Sequence, residues 1–244
     1  MMPPLSNRDK MFVLRYRIRS WLGLRPTLFS FAMKLFGRKQ SRDLLLSPDT
    51  ELVIEGFPRS ANTFSVVAFE FSQKRPIKLA HHLHVPAQVI RAVQNNVPTF
   101  VLIRNPTDAV LSLLVHSPRV PAIDALKAYY QFYKYIMPYS HGFIKATFEE
   151  VTANYGAVIQ RVNKKFGTDF VVFDQTKENM ESCFRIIEEK ARLRTGKQDV
   201  SGFVAKPTIE KERSKGNFAN VLNGKKEQVL LEQCWQIYKD FLSA

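Results

Sequence analysis

The chain is predicted to be a three-layer α/β sandwich, a central parallel sheet with helices on both faces. Short apolar runs alternate with helical periods from residue 51 onward. That alternation implies parallel strands joined by right-handed crossovers. The strongest runs, "ELVIE" (51–55) and "TFVLIR" (99–104), are apolar over most of their length, as strands covered on both faces are. Finally, 244 residues with 45% hydrophobic content can bury one sizeable core, so a single main domain is expected.

Residues 1–45 read as a basic leader and 46–244 as the domain. The leader segment "MFVLRYRIRSWLGLRPTLFSFAMKLFG" (11–37) interleaves arginines with aromatic and aliphatic residues. It holds no apolar run long enough to span a bilayer as a helix, and no clear signal-peptide pattern. Two readings stay open: a helix in the plane of an anionic membrane surface, or a helix packed on the domain with its arginines solvated. Strand 51–55 leads through a turn to a helix over 62–72. "IKLAHH" (77–82) is a short strand, and 86–96 is a helix opened by Pro86, a residue favoured in a first turn. Strand 99–104 feeds a second Pro-initiated helix, 106–116, followed by an aromatic helix over 122–138 that is expected to pack mainly in the core. "GFIKATF" (142–148), a helix over 154–166 and helices over 176–194 and 225–242 complete the chain. "DFVVFD" (169–174) is ambiguous between strand and buried turn.

The charge is uneven. Residues 1–42 carry ten basic residues against Asp9 alone, or +9 of the total +14. A nucleic-acid binder would spread its basic charge over a binding face rather than confine it to a leader, so no nucleic-acid partner is expected. Cys183 and Cys234 lack metal-ligand or disulfide-framework spacing and read as buried thiols in a reducing compartment.

In a parallel α/β sheet, ligands sit at the carboxyl ends of the strands. "EGFPRSANTF" (55–64) lies there, between a strand and a helix. Such a turn presents unpaired backbone N–H groups at the positive end of a helix dipole, a ready anion site. Against G-x-x-x-x-G-K-[ST] it keeps Gly56 and Thr63 but lacks the second Gly and the Lys, and its cation is Arg59. The turn is therefore P-loop-like without the lysine that serves nucleoside triphosphates. A second element, "RNPTDAVLS", puts Arg104 at a strand end and Ser112 about two helical turns on. Together they offer charged donors and a hydroxyl to a second phosphate. An Asp that would hold Mg²⁺ is expected at that strand end in a kinase; here it is Arg.

These motifs resemble the sulfotransferases that use 3'-phosphoadenosine 5'-phosphosulfate (PAPS). In that family x-x-P-[KR]-S-G-[TS]-T-[FW] grips the 5'-phosphosulfate, and R-x-P-x-x-x-x-x-S holds the 3'-phosphate. The first corresponds to "GFPRSANTF", so the resemblance implies donor contacts from Arg59, Ser60, Ala61, Asn62, Thr63 and Phe64, with Ala61 and Asn62 as departures. The second implies contacts from Arg104 and Ser112. The family's K-[TS]-H-[LV]-P corresponds to "HLHVP", which implies His84 as catalytic base, with His82 in reserve on the same side by strand alternation. "ATFEEV" is similar to Y-E-D-[LV] and implies Phe148 near adenine, and "RSKG" echoes R-K-G at Arg213, Lys215 and Gly216. The likeness covers roughly residues 50–242.

The expected activity is transfer of a sulfuryl group from PAPS to a hydroxyl acceptor on a carbohydrate, lipid or small molecule, leaving adenosine 3',5'-bisphosphate. Arg59 would stabilise the leaving phosphate, and no metal is expected, because the histidine cluster "HHLH" lacks partner ligands at suitable spacing. A P-loop nucleotide or small-molecule kinase, with Asp174 holding Mg²⁺, is the alternative. A non-enzymatic basic module would explain the leader but not Arg104 and Ser112. The expected compartment is the cytoplasm, with attachment to a membrane face the open alternative for the leader.

Overall fold

The computed structural model describes residues 6–200, 216, 218 and 220–244. Its four strands are β1 (Leu52–Gly56), β2 (Leu79–His81), β3 (Thr99–Ile103) and β4 (Ile144–Thr147). They form one all-parallel sheet in the order β2-β1-β3-β4, with Gly56 opposite Leu102 and Leu102 opposite Ala146. All five residues of β1 and of β3 are buried. Their apolar runs follow from that two-sided cover.

Alternating side chains divide the core. Leu52, Ile54, Phe100 and Leu102 face one layer, built from α4 (Asn62–Ser72), α8 (Phe148–Phe166) and α9 (Lys177–Thr195). Val101 and Ile103 face the other, built from α5 (Pro86–Gln94), α6 (Pro106–His116), α7 (Ala122–Ile136) and α10 (Lys225–Ser243). The fold is therefore the expected α/β three-layer sandwich, with a P-loop-like strand–turn–helix at β1–α4.

The leader forms α1 (Asn7–Gly23), α2 (Pro26–Phe36) and a short α3 (Lys39–Arg42). Its inner side is packed. Phe12 and Tyr16 lean on the second layer, while Phe29, Leu45, Leu83, Val85 and Ala87 form a small cluster of their own. Arg17 pairs with Asp124 of α7 at 2.9 Å.

Several sequence expectations shift. Strand 77–82 shortens to 79–81, because His82 and His84 both take positive φ (57° and 52°) and cannot continue a strand. The two histidines therefore do not share a strand face as alternation predicts; a turn brings their rings to 5.6 Å instead. The helix expected from 154 begins at 148, opened by a capping box between Thr147 and Glu150. It is broken at Asn154 (φ −155°, ψ 76°), whose Oδ1 then accepts from the Ala157 N–H. The helical periodicity of the sequence covers only the second segment. "DFVVFD" is not a strand: Asn163 and Gln73 side chains satisfy its backbone, and Phe173 packs against Phe64 and Tyr155. Both cysteines are free thiols and buried, with burial pushing them up to about 11 at Cys183 and about 12 at Cys234.

Candidate functional site

The carboxyl ends of β1, β2 and β3 converge on the 57–61 turn. Gly56 is required there by close approach: a Cβ would lie 2.5 Å from the Leu102 carbonyl oxygen. The turn then takes Arg59 (φ 72°) and Ala61 (φ 70°) into the left-handed region, a conformation that costs a non-glycine residue about 1–2 kcal/mol. Ala61 occupies the N-cap of α4 and brings no side-chain acceptor, so the first-turn N–H groups of Asn62, Thr63 and Phe64 are uncapped by the chain's own side chains. The turn is held from below. Asn62 Nδ2 donates to the Phe57 carbonyl at 3.0 Å, and Tyr133 Oη accepts from the Phe57 N–H at 3.4 Å. Asn62 Oδ1 is buried without a hydrogen-bond partner among the described residues.

Two guanidinium groups meet above this turn. Arg59 Nε donates to Ser112 Oγ at 3.0 Å, and Arg104 Nη1 donates to the Arg59 carbonyl at 3.3 Å. Burial and the neighbouring Arg104 charge both hold Arg59 below the ordinary guanidinium value. Among the described residues no carboxylate lies in ion-pair range of Arg59. Arg104 is placed by its surroundings: its carbonyl accepts from Tyr129 Oη at 2.6 Å, its Nη2 lies 3.7 Å from Asp108, and its guanidinium lies 4.0 Å over the Phe148 ring. Phe148 thus backs the arginine with one ring face, a cation–π contact. Like charges brought together in a partly buried recess are offset by an anion more readily than by water.

The histidines ring the other side of the turn. His84 donates from Nδ1 to the Gly56 carbonyl at 2.8 Å. A carbonyl only accepts, so Nδ1 carries the proton and Nε2 the lone pair. Burial holds His84 down at about 4, so its imidazole is neutral at pH 7. His82 spends both ring nitrogens inside the protein, on Thr63 Oγ1 at 3.1 Å and on His81 Nδ1 at 2.6 Å.

Glu55 anchors this loop and is absent from the sequence-predicted set. It is fully buried in β1 and accepts from the N–H groups of Leu83 (2.7 Å) and His84 (2.9 Å) and from Gln88 Nε2 (3.0 Å). Burial pushes its carboxyl up to about 7 against the opposing pull of those N–H bonds. The signal was available: a glutamate inside a run read as a buried strand needs donors, and the next loop supplies them. By sequence, Tyr129 and Tyr133 are only members of an aromatic core helix. They are core, yet their hydroxyls also hold the carbonyls of Arg104 and Leu102.

The structure therefore brings Arg59, Ser60, Ala61, Asn62, Thr63, His84, Arg104, Ser112 and Phe148 together at the strand ends, while Phe64, in the first turn of α4, turns its ring into the core against Tyr155 and Phe173. Gly216 is exposed, and among the described residues no contact joins it to the recess. Arg213 and Lys215 lie outside the described residues. Asp174 is exposed in the segment between α8 and α9, not at a strand end, so it does not occupy the position a Mg²⁺-binding Asp would need. No group of three or more His, Cys, Asp or Glu suited to a metal ion occurs among the described residues.

No family model and no curated protein matches the chain. Among solved structures it is similar to a mouse sulfotransferase complexed with PAP, at 13% identity and a TM-score of 0.45, over 79% of this chain and 92% of that one.

Proposed function

We propose that the chain is a PAPS-dependent sulfotransferase acting on a hydroxyl of a carbohydrate, lipid or small molecule, with residues 46–244 as the catalytic domain. The observation that carries the reading is the Arg59–Ser112–Arg104 cluster over an uncapped helix start. Two guanidinium groups and a hydroxyl, with no carboxylate on Arg59 among the described residues, suit a ligand bearing two separate anionic groups. When bound, PAPS supplies the sulfuryl group and an adenosine 3',5'-bisphosphate leaving group.

The roles divide by position. Arg59 and the N–H groups of residues 61–64 neutralise charge on the 5' side. Arg104 and Ser112 hold the 3'-phosphate, with Phe148 behind Arg104. His84 accepts the acceptor hydroxyl's proton at Nε2, the nitrogen left basic by the Nδ1 bond to Gly56. His82 is the poorer candidate, since both its nitrogens are engaged. Glu55 acts through His84 by fixing the loop that carries it. The buried free thiols suit a reducing, cytoplasmic compartment.

Binding of adenosine 3',5'-bisphosphate, adenosine 5'-phosphate and ATP with Mg²⁺, followed by thermal shift and calorimetry, tests the reading. The bisphosphate should bind best. Arg104→Ala should weaken it at least tenfold, the loss of a charge-assisted contact of about 1.5–3 kcal/mol, while adenosine 5'-phosphate changes little. Equal losses would remove the 3'-phosphate assignment, and preference for ATP with Mg²⁺ would favour a kinase.

A further inference from the structure

Helices α1 and α2 each carry two apolar faces, and only one is used. The inner face of α1 presents Phe12, Tyr16 and Gly23 to the domain, and that of α2 presents Phe29 and Met33. On the opposite side of α1 lie Leu14, Ile18 and Trp21, spaced to share one stripe, and each is about half exposed. On α2 the matching stripe holds Leu28, Phe31 and Leu35, with Phe31 64% exposed, and the neighbouring Phe36 at the helix end is 84% exposed. Exposed apolar area of this kind, repeated along two adjacent helices, marks a docking surface rather than scattered surface residues. It is not unfinished core, because the inner faces already fill that role.

The charges say what docks. Lys10 borders the α1 stripe on one side and Arg15 on the other, while Lys34 borders that of α2. Arg25 stacks its guanidinium 3.7 Å over Trp21, which keeps a cation beside the ring. With +9 over residues 1–42, a second copy presenting the same face would meet like charge. An anionic bilayer meets both features at once: headgroups take the basic border, and the acyl boundary takes the stripe. No helix among the described residues is long and apolar enough to cross a membrane, so the helices lie along the surface.

We infer that the outward faces of α1 and α2 form an in-plane docking surface for an anionic lipid bilayer. The inference is independent of the transfer reaction.

The test uses the full chain with vesicles of phosphatidylcholine containing 30% phosphatidylserine, against pure phosphatidylcholine, by co-sedimentation in low and high salt. Binding should require the anionic lipid, fall with salt, and shift Trp fluorescence to the blue. The triple variant Trp21→Ser, Phe31→Ser, Phe36→Ser removes exposed rings only. It should keep the wild-type melting temperature and bind the anionic vesicles at least tenfold more weakly. A charge variant, Arg15→Glu with Lys34→Glu, should show a comparable loss and serves as the second arm should the triple variant prove unstable. Equal binding to neutral vesicles, or undiminished binding by both variants, overturns the inference. So does wild-type self-association that the triple variant abolishes in the absence of vesicle binding, which would assign the face to a second copy.

Discussion

His84 shows how one side chain is tuned by its neighbours. Its backbone is fixed by Glu55, its Nδ1 by the Gly56 carbonyl, and its ring is held in a buried site that depresses its protonation to about 4. A base works only while unprotonated. If His84 is the base, as proposed, transfer activity should persist well below the ordinary histidine range, with the acid limb of kcat/KM falling near 4 rather than near 6.5. His84→Ala should lower turnover by about 10²–10⁴ and leave affinity for adenosine 3',5'-bisphosphate nearly unchanged. A variant that retains full activity, or an acid limb at the ordinary histidine value, would move the role elsewhere. The same burial sets a sign for stability. His81 and His84 are both held at about 4, below their ordinary 6.5, so their contribution is complete above pH 6.5 and is lost as pH falls toward 4. Glu55 is raised from 4.5 to about 7, so its contribution is present below pH 4.5 and is lost as pH rises toward 7. The two trends oppose each other across the intervening window.

At the scale of elements, the site depends on how closely β1 and β3 approach at their carboxyl ends. Gly56 faces Leu102 with no room for a methyl group: an added Cβ would sit 2.5 Å from the carbonyl oxygen and 2.8 Å from the Leu102 Cβ. Backbone cannot yield as a flexible side chain can, so the strands must separate. Gly56→Ala is expected to cost about 2–3 kcal/mol, or roughly 5–10 °C in melting temperature. Nucleotide affinity should fall with it, because the 57–61 turn hangs from that strand end. A variant with wild-type melting temperature would show that the strand pair adapts. The Asn154 break in α8 is a comparable joint: it lets one turn cap β4 beside Arg104 while the rest of the helix packs on the sheet.

For the whole molecule, the question is whether the leader is separable. Phe29 and Leu45 are buried with Leu83 and Val85, and Arg19 donates to the Leu83 carbonyl in the loop that carries His84. Deleting residues 1–42 removes two buried apolar side chains, Val13 and Phe29, each worth about 1.5–3 kcal/mol, and uncovers Leu45 and Leu83. It should lower the melting temperature by about 10 °C or more, and should loosen the histidine loop. Scanning calorimetry of the truncated chain measures this; an unchanged transition would establish the leader as a free appendage. Removing the outward rings instead separates docking from folding.

The sequence by itself determined the layering, the order of the elements and the two strand-end motifs. Strand and helix periods are local, and a cationic turn after an apolar run is chemically specific wherever it occurs. Helix 106–116 was legible to the residue because Asn105 caps it and Pro106 opens it. Tertiary structure alone decided the rest. It ended β2 at His81 by turning His82 and His84 into the left-handed region. It moved Ser112 onto Arg59, and it made Glu55 the anchor of a loop almost thirty residues away. It also gave the leader an inner face as well as an outer one. Each of these depends on which distant groups share a dry space, where a buried donor or charge must find its partner, and no local pattern records that pairing.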